Sequence, residues 1–330
     1  MVNRPRPVGP AAGGSIGPSG GVPSKSQRGP QLAPGANFSG TDPDGGGWET
    51  GLALEGGQLD RRGEADTGQA TLPRCRAPRT RLLGAELDDL SAAEVVAAIF
   101  AVLDGGGRAR VINANAYMLN LTHETPWLRA LFRSSEIAFF DGAGAQLAAQ
   151  VLTGHRPRRT TPPEWAAEVA AGVAQRNGSV YLLGGAAEAA AVAAERLATL
   201  TGVRVAGFHH GFFDATPGSP EAEAVLEEIN RLRPDVLFLN MGMPRQERWL
   251  HDFWDRTDVP VAVTAGALVD HLAGRVRRPP RWVADLGFEW LVRLAVEPRR
   301  LWRRYVIGLP VFGFRVLREK LLPRRREDEA

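Results

Sequence analysis

What the sequence lacks narrows the field first. Among its 330 residues there is one cysteine, Cys75, which rules out an internal disulfide framework and a cysteine-rich metal site and fits a reducing compartment. The N-terminal segment has no continuous apolar core of the kind a signal peptide needs, so the folded part is expected in the cytoplasm. No Gly-x-x-x-x-Gly-Lys-Ser/Thr loop is present, which argues against a P-loop nucleotide hydrolase. The absence of a Gly-x-Ser-x-Gly elbow weakens a serine hydrolase. Nor is there a convincing Asp-x-Asp pair of the kind that holds a divalent metal on a nucleotide diphosphate. His209–His210 has no acidic or cysteine partner at ligand spacing. No metal and no cofactor are therefore expected.

Apolar residues make up 44% of the chain, enough for one large α/β domain or two small ones, but they are unevenly spread. Residues 1–80 are rich in Gly, Pro, Ser, Gln and Arg. Such a segment cannot bury enough apolar surface to offset its ordering entropy, and a disordered tail is expected. From Arg81 onward short apolar runs alternate with Ala-rich helical stretches. Candidate strands are Arg110–Asn113, Ile137–Phe140, Val180–Leu183, Val203–Gly207, Val236–Asn240 and Val261–Thr264. Between them lie helical patterns such as Glu164–Arg176, Glu188–Leu200 and Pro220–Leu232. This alternation predicts βαβ units in residues 81–284: an α/β, Rossmann-like domain with a mostly parallel sheet and helices on both faces.

In open parallel sheets ligands gather at the carboxyl ends of the strands. Asn113, Asn115, Asp141, Gly184–Gly185, the Gly242–Gln246 stretch and Gly266 all fall just after predicted strands. Asp141 opens an Asp-Gly-Ala-Gly turn into a helix, where glycines let a ligand approach and helix amides favour phosphate. A carboxylate there suits a general base on a sugar hydroxyl, and from spacing alone it suits a helix N-cap better. The Gly184–Gly185 pair is a weaker signal, because it does not complete a dinucleotide fingerprint. The run Gly242-Met-Pro-Arg-Gln246-Glu-Arg-Trp249 sets an amide, an acid, two arginines and an indole in one turn and helix start, which suits a nucleotide or sugar.

Residues 285–330 differ in texture. From Arg275 onward fifteen Lys or Arg face seven Asp or Glu, a local surplus pointing to phosphate groups or an anionic surface. Trp290 and Trp302 lie among arginines, and the apolar run Tyr305–Phe314 is half the length that crosses a bilayer. A basic amphipathic appendage lying in the membrane interface is expected, and a helix packed on the domain is compatible with it.

Together these residues resemble the WecG/TagA/CpsF glycosyltransferases, glycosyltransferase family 26, from about Arg81 to Phe314. The pieces are Asn113-Ala-Asn115, Asp141-Gly-Ala-Gly144, Leu183-Gly-Gly185, Gly207-Phe-His-His-Gly211 with Phe212, and the Gly242–Trp249 run. Gly266-Ala-Leu-Val-Asp270 with Ala273-Gly274, Arg277-Arg-Pro-Pro280, Gly287-Phe-Glu-Trp290 and Arg293-Leu-Ala-Val-Glu-Pro298-Arg299-Arg300 complete the set.

The resemblance implies inverting, metal-independent transfer from a UDP-sugar to a polyprenyl-diphosphate-linked glycan in cell-surface polysaccharide or teichoic acid-type synthesis. N-acetylmannosamine, its uronic acid and glucose are candidate sugars. It implies a cytoplasmic enzyme held peripherally at the inner face of the cell membrane, with a homo-oligomer left open. Asp141 matches the family's general base. Asn113, Asn115, Gly184, Gly185 and Asp270 fall among its substrate-binding motifs, Arg159 in the loop after the Asp-Gly helix, and Gln246 matches a glutamine lining the donor pocket. Arg293, Arg300 and Arg303 match arginines of the C-terminal appendage that closes over the site and meets diphosphate. Two departures bear on specificity. Asn113 stands where many members have Thr, and Thr161-Pro-Pro-Glu164-Trp165 replaces a Thr-Gly-x-Asp pattern.

Two other function classes are weighed against this. A non-catalytic nucleotide-sugar-binding regulator or scaffold would retain the pocket, although the retained Asp141 and Gln246 argue against it. A nucleic-acid-binding protein is disfavoured because the C-terminal aromatics sit beside Leu, Val and Ile and no nucleic-acid motif is visible.

Overall fold

The computed structural model describes residues 79–276 and 289–322. Residues 1–78, with the expected tail and Cys75, lie outside the described residues, as do the Arg277–Pro280 motif, Gly287-Phe288 and the Arg300 side chain.

The described chain opens with a short antiparallel hairpin, β1 (Thr80–Leu82) and β2 (Ala85–Leu87). Then follow α1 (Ala92–Asp104), β3 (Ala109–Ala114), α2 (Ala116–Glu124), α3 (Pro126–Ser134) and β4 (Ile137–Phe140). Next are α4 (Ala143–Thr153), α5 (Pro162–Gln175), β5 (Ser179–Gly184), α6 (Ala187–Thr201) and β6 (Arg204–His209). The series continues with α7 (Pro220–Leu232), β7 (Val236–Asn240), α8 (Arg245–Phe253), β8 (Val261–Thr264) and α9 (Leu268–Leu272). Strands β3 to β8 form one wholly parallel sheet in the order β4-β3-β8-β7-β5-β6. The α/β, mostly parallel architecture read from the sequence is the one observed.

Period-two side-chain alternation divides the interior into two apolar layers. Val111, Val180, Leu182, Val236, Phe238, Val261 and Val263 face one layer, with Val95, Ile99, Trp165, Val169, Leu197 and Val269 from α1, α5, α6 and α9. Ile112, Tyr181, Leu183, Leu237 and Leu239 face the other, with Met118, Leu131, Ala148, Val225 and Trp249 from α2, α3, α4, α7 and α8. Both faces are covered, so the central strands are apolar on successive residues rather than on alternate ones.

Thr161-Pro-Pro-Glu164 now has a structural account. Pro162 occupies the first helical position of α5, and the Thr161 N–H donates to Glu164 Oε2 at 3.2 Å. The segment is a helix start whose first donors are satisfied locally.

The C-terminal segment comprises α10 (Glu289–Val296), α11 (Pro298–Trp302), a π-helical turn over Arg303–Ile307, and α12 (Gly308–Leu321). Helix α12 buries Phe312 and Val316, one turn apart, in the layer that holds α2 and α4. Asn120 of α2 donates through Nδ2 to the Gly308 carbonyl at 2.7 Å, and Arg315 Nη1 donates to the Asn120 carbonyl at 2.8 Å. Its opposite side leaves Phe314, Leu317 and Leu321 exposed, at 67%, 54% and 68%. Among the described residues no helix is long and apolar enough to cross a membrane.

Candidate active site

A cavity of about 700 Å³ opens over the carboxyl ends of β3, β4, β5, β7 and β8. After β3 the chain steps to β4 on one side, and after β5 it steps to β6 on the other, with β8 and β7 between. Such reversals leave a crevice between diverging loops, where ligands of open α/β sheets bind. The C-terminal segment supplies one wall through Arg293, Arg303, Arg304, Ile307, Gly308 and Arg315.

Asp141 lies at the mouth of β4, its N–H donating to the Ala114 carbonyl at 2.9 Å. The N-cap of α4 is Gly142, with φ +84°, and no side chain caps the helix. A residue with a Cβ is strained at that angle, which explains the glycine after the aspartate. The carboxylate is thus not the helix cap that spacing alone favours. Instead Asn113 Nδ2 donates to Asp141 Oδ2 at 3.0 Å. Asn113 is itself held by Thr264, whose Oγ1 donates to Asn113 Oδ1 at 2.9 Å and accepts the Asn113 N–H at 3.3 Å. Thr264 and Asn113 are buried, at 0% and 2% exposure. One hydrogen-bonded row therefore crosses β8, β3 and β4 and orients the carboxylate from beneath.

Asn115 lines the cavity, yet its side chain is committed to structure. Its Oδ1 accepts the N–H groups of Tyr117 and Met118, each at 3.1 Å, and so caps α2. Gly185 lines the cavity, whereas Gly184 does not. A Cβ on Gly184 would sit 2.2 Å from the Asn240 carbonyl carbon, so this glycine serves the close approach of β5 to β7. Of the two glycines Gly185 alone borders the cavity, with Gly211, Gly242 and Gly266 beside it.

Gln246 requires a correction of place. It is fully buried and lies behind the cavity wall rather than on it. Its Nε2 donates to Glu247 Oε1 at 2.8 Å, and its Oε1 accepts the Gly266 N–H at 3.1 Å, bracing the turn after β8. Glu247 is equally buried, and its Oε2 has no hydrogen-bond partner. Burial pushes its carboxyl up to about 7, opposed by the Gln246 hydrogen bond and by the charge of Arg304.

Arg159 does not line the cavity either. Its guanidinium lies 3.6 Å from Glu164 at the start of α5, next to the lining residues Thr161 and Pro162. Asp270, in the first turn of α9, does line it, as do Arg293 and Arg303. Arg303 is exposed, with its guanidinium 5.4 Å from the Trp302 ring centre.

Thr264, Tyr117 and Arg304 also line or support the cavity, and none of them carries a signal in the sequence. Thr264 reads as one more β-branched strand residue, and Tyr117 as a helix residue. Arg304 is one of a pair in Arg303-Arg304, and only the helical phase distinguishes the two. Among the described residues no group of three His, Cys, Asp or Glu side chains converges in a way that could hold a metal ion.

Similarity to known proteins extends over most of the chain. A Bacillus subtilis (strain 168) N-acetylglucosaminyldiphosphoundecaprenol N-acetyl-beta-D-mannosaminyltransferase is 30% identical over 118 residues, 36% of this chain and 43% of that protein. That match spans less than half of the Bacillus relative. The Staphylococcus aureus (strain NCTC 8325 / PS 47) protein of the same name is 25% identical over 251 residues, 75% of this chain and 95% of that protein. The model of the glycosyl transferase WecG/TagA/CpsF family matches residues 80–326, which takes in the sheet, the aspartate row and the C-terminal wall alike. A transferase of glycosyl groups is what this chain is, and it belongs to the WecG/TagA/CpsF family.

Proposed function

We propose that this glycosyltransferase moves N-acetylmannosamine or a related sugar from a UDP-sugar to a polyprenyl-diphosphate-linked sugar, with inversion and without a metal ion. The observation that carries the reading is the Thr264–Asn113–Asp141 row, which presents an oriented carboxylate to a cavity large enough for a nucleotide sugar. In this reading Asp141 takes the proton of the acceptor hydroxyl as its oxygen attacks the anomeric carbon. The bond from that carbon to the diphosphate breaks on the opposite face, and the nucleoside diphosphate leaves. Arg293 and Arg303, on the wall, supply positive charge where the leaving group becomes more negative. The names of the Bacillus and Staphylococcus relatives support the sugar and the acceptor.

Association with the inner face of the membrane belongs to the same proposal. The outward apolar side of α12 shares an arginine-rich segment with exposed Val296, Trp302 and Val306. An apolar strip edged by cations suits an interface of acyl chains and anionic headgroups. The test is a transfer assay with a panel of UDP-sugars and a short-chain polyprenyl-diphosphate-GlcNAc acceptor in EDTA. Turnover of UDP-N-acetylmannosamine that is lost in Asp141→Ala is expected. Absence of transfer with every donor, or full activity of Asp141→Ala, overturns the proposal.

A further inference from the structure

Of the two adjacent arginines at the π-helical turn, the one turned inward is Arg304. Arg303 is exposed against Trp302, while Arg304 is partly buried with its guanidinium 4.5 Å from the Tyr117 ring centre and 5.6 Å from that of Tyr305. Arg304 lines the same cavity as Asp141, and its Nε is buried with no hydrogen-bond partner. A guanidinium carries five fixed donors, and leaving one of them dry and unpaired is unfavourable. Burial pulls Arg304 below the usual arginine value, and Arg293 adds to that, while the charges of Tyr305, Asp141 and Tyr117 oppose it. The site therefore holds a cation short of counter-charge beside an open cavity.

The position of that cation is fixed from α2. Asn115 caps the helix by accepting the Tyr117 N–H, which sets the ring. One turn on, Asn120 holds the Gly308 carbonyl at 2.7 Å, four residues beyond Arg304. An aromatic face under a guanidinium leaves its edge free for an in-plane partner, and the fork geometry matches pairs of phosphate oxygens. A neutral sugar would not relieve the repulsion between Arg293 and Arg304, whereas a polyanion placed between them would.

We infer that Arg304, seated on Tyr117, is a diphosphate-binding group of this cavity. The inference rests on the proposed transfer reaction, in which two diphosphates enter the site: that of the nucleotide and that of the lipid-linked acceptor. The chemistry recognised is the same for both.

The test uses the full chain and titrates inorganic pyrophosphate, UDP and uridine by calorimetry, with kinetics for donor and acceptor. In Arg304→Gln, pyrophosphate affinity is expected to fall at least tenfold, and Arg304→Lys should recover only part of it. Tyr117→Leu should lose several-fold, while Tyr117→Phe, which keeps the ring face, should stay within twofold; thermal melts report whether each variant folds. A loss of UDP affinity with uridine unchanged assigns the arginine to the nucleotide. Unchanged UDP affinity with a raised KM for the acceptor assigns it to the lipid diphosphate. The inference is overturned if Arg304→Gln, or Tyr117→Leu where that variant alone folds, leaves pyrophosphate binding and both KM values at wild-type levels. Wild-type protein that binds pyrophosphate through Arg304 yet transfers no sugar sinks the transfer reading and spares this one. Wild-type transfer that ignores both substitutions does the reverse.

Discussion

A threonine hydroxyl on β8 holds an asparagine on β3, which holds an aspartate after β4, and each hydrogen bond in that row can be removed separately. Thr264→Val keeps the branched shape and deletes the hydroxyl, leaving Asn113 Oδ1 without its buried donor. Loss of a buried bond of this kind costs about 1–2 kcal/mol. We expect kcat to fall about tenfold with the donor KM little changed, read by steady-state kinetics. Unaltered kcat would mean that Asn113 does not need its anchor. Glu247 offers a second test at this scale. Its folded value of about 7 lies above the unfolded 4.5, so the folded state holds its proton more tightly than the unfolded state does. Stability from this group is complete below about pH 4.5 and is lost as pH rises towards and through about 7. Glu247→Gln mimics the protonated form. Its melting temperature is expected to exceed that of the wild type increasingly from pH 5 to pH 8, and parallel curves would exclude the effect.

Secondary elements were largely legible because buried parallel strands are short apolar runs. Ile137–Phe140, Val236–Asn240, Val261–Thr264 and Pro220–Leu232 have the observed limits, and the other three strands and two helices named from the sequence differ by one or two residues at their ends. The β1–β2 hairpin was not legible, since three-residue strands carry too little pattern. Side-chain direction was the harder problem. Gln246 and Gly185 both follow strands, yet one points under the wall and the other forms it, and only tertiary packing decides which. The helix α12 carries the prediction at this scale. Phe312→Ala removes a buried aromatic from its seat against α2 and α4, which typically costs about 3–5 kcal/mol. Because that helix is one peripheral element, the expected result is local release: faster proteolysis near residues 300–310 and a large fall in kcat/KM. Hydrogen exchange in β5 and β7 should remain slow. Loss of protection throughout would show that the helix is integral to the domain.

At the level of the whole molecule, the sheet builds the cavity floor and the C-terminal segment builds a wall, and that wall also bears the exposed apolar strip. Replacing Phe314, Leu317 and Leu321 together by Ser should abolish sedimentation with vesicles containing anionic phospholipid. Turnover of a short-chain, water-soluble acceptor should stay within about twofold, because these side chains face away from the cavity. Vesicle binding that survives the triple replacement would move the contact elsewhere.

Chain order gives this arrangement a further meaning. Every strand of the sheet precedes Ala265, and the residues that wall the site begin nearly thirty positions later. During synthesis the parallel sheet can therefore finish folding before the cavity is walled. A nascent or prematurely terminated chain would carry the carboxylate without the cationic wall facing it. Such products should be folded and inert, so that the cell is spared sugar transfer by molecules that have not yet acquired their C-terminal wall.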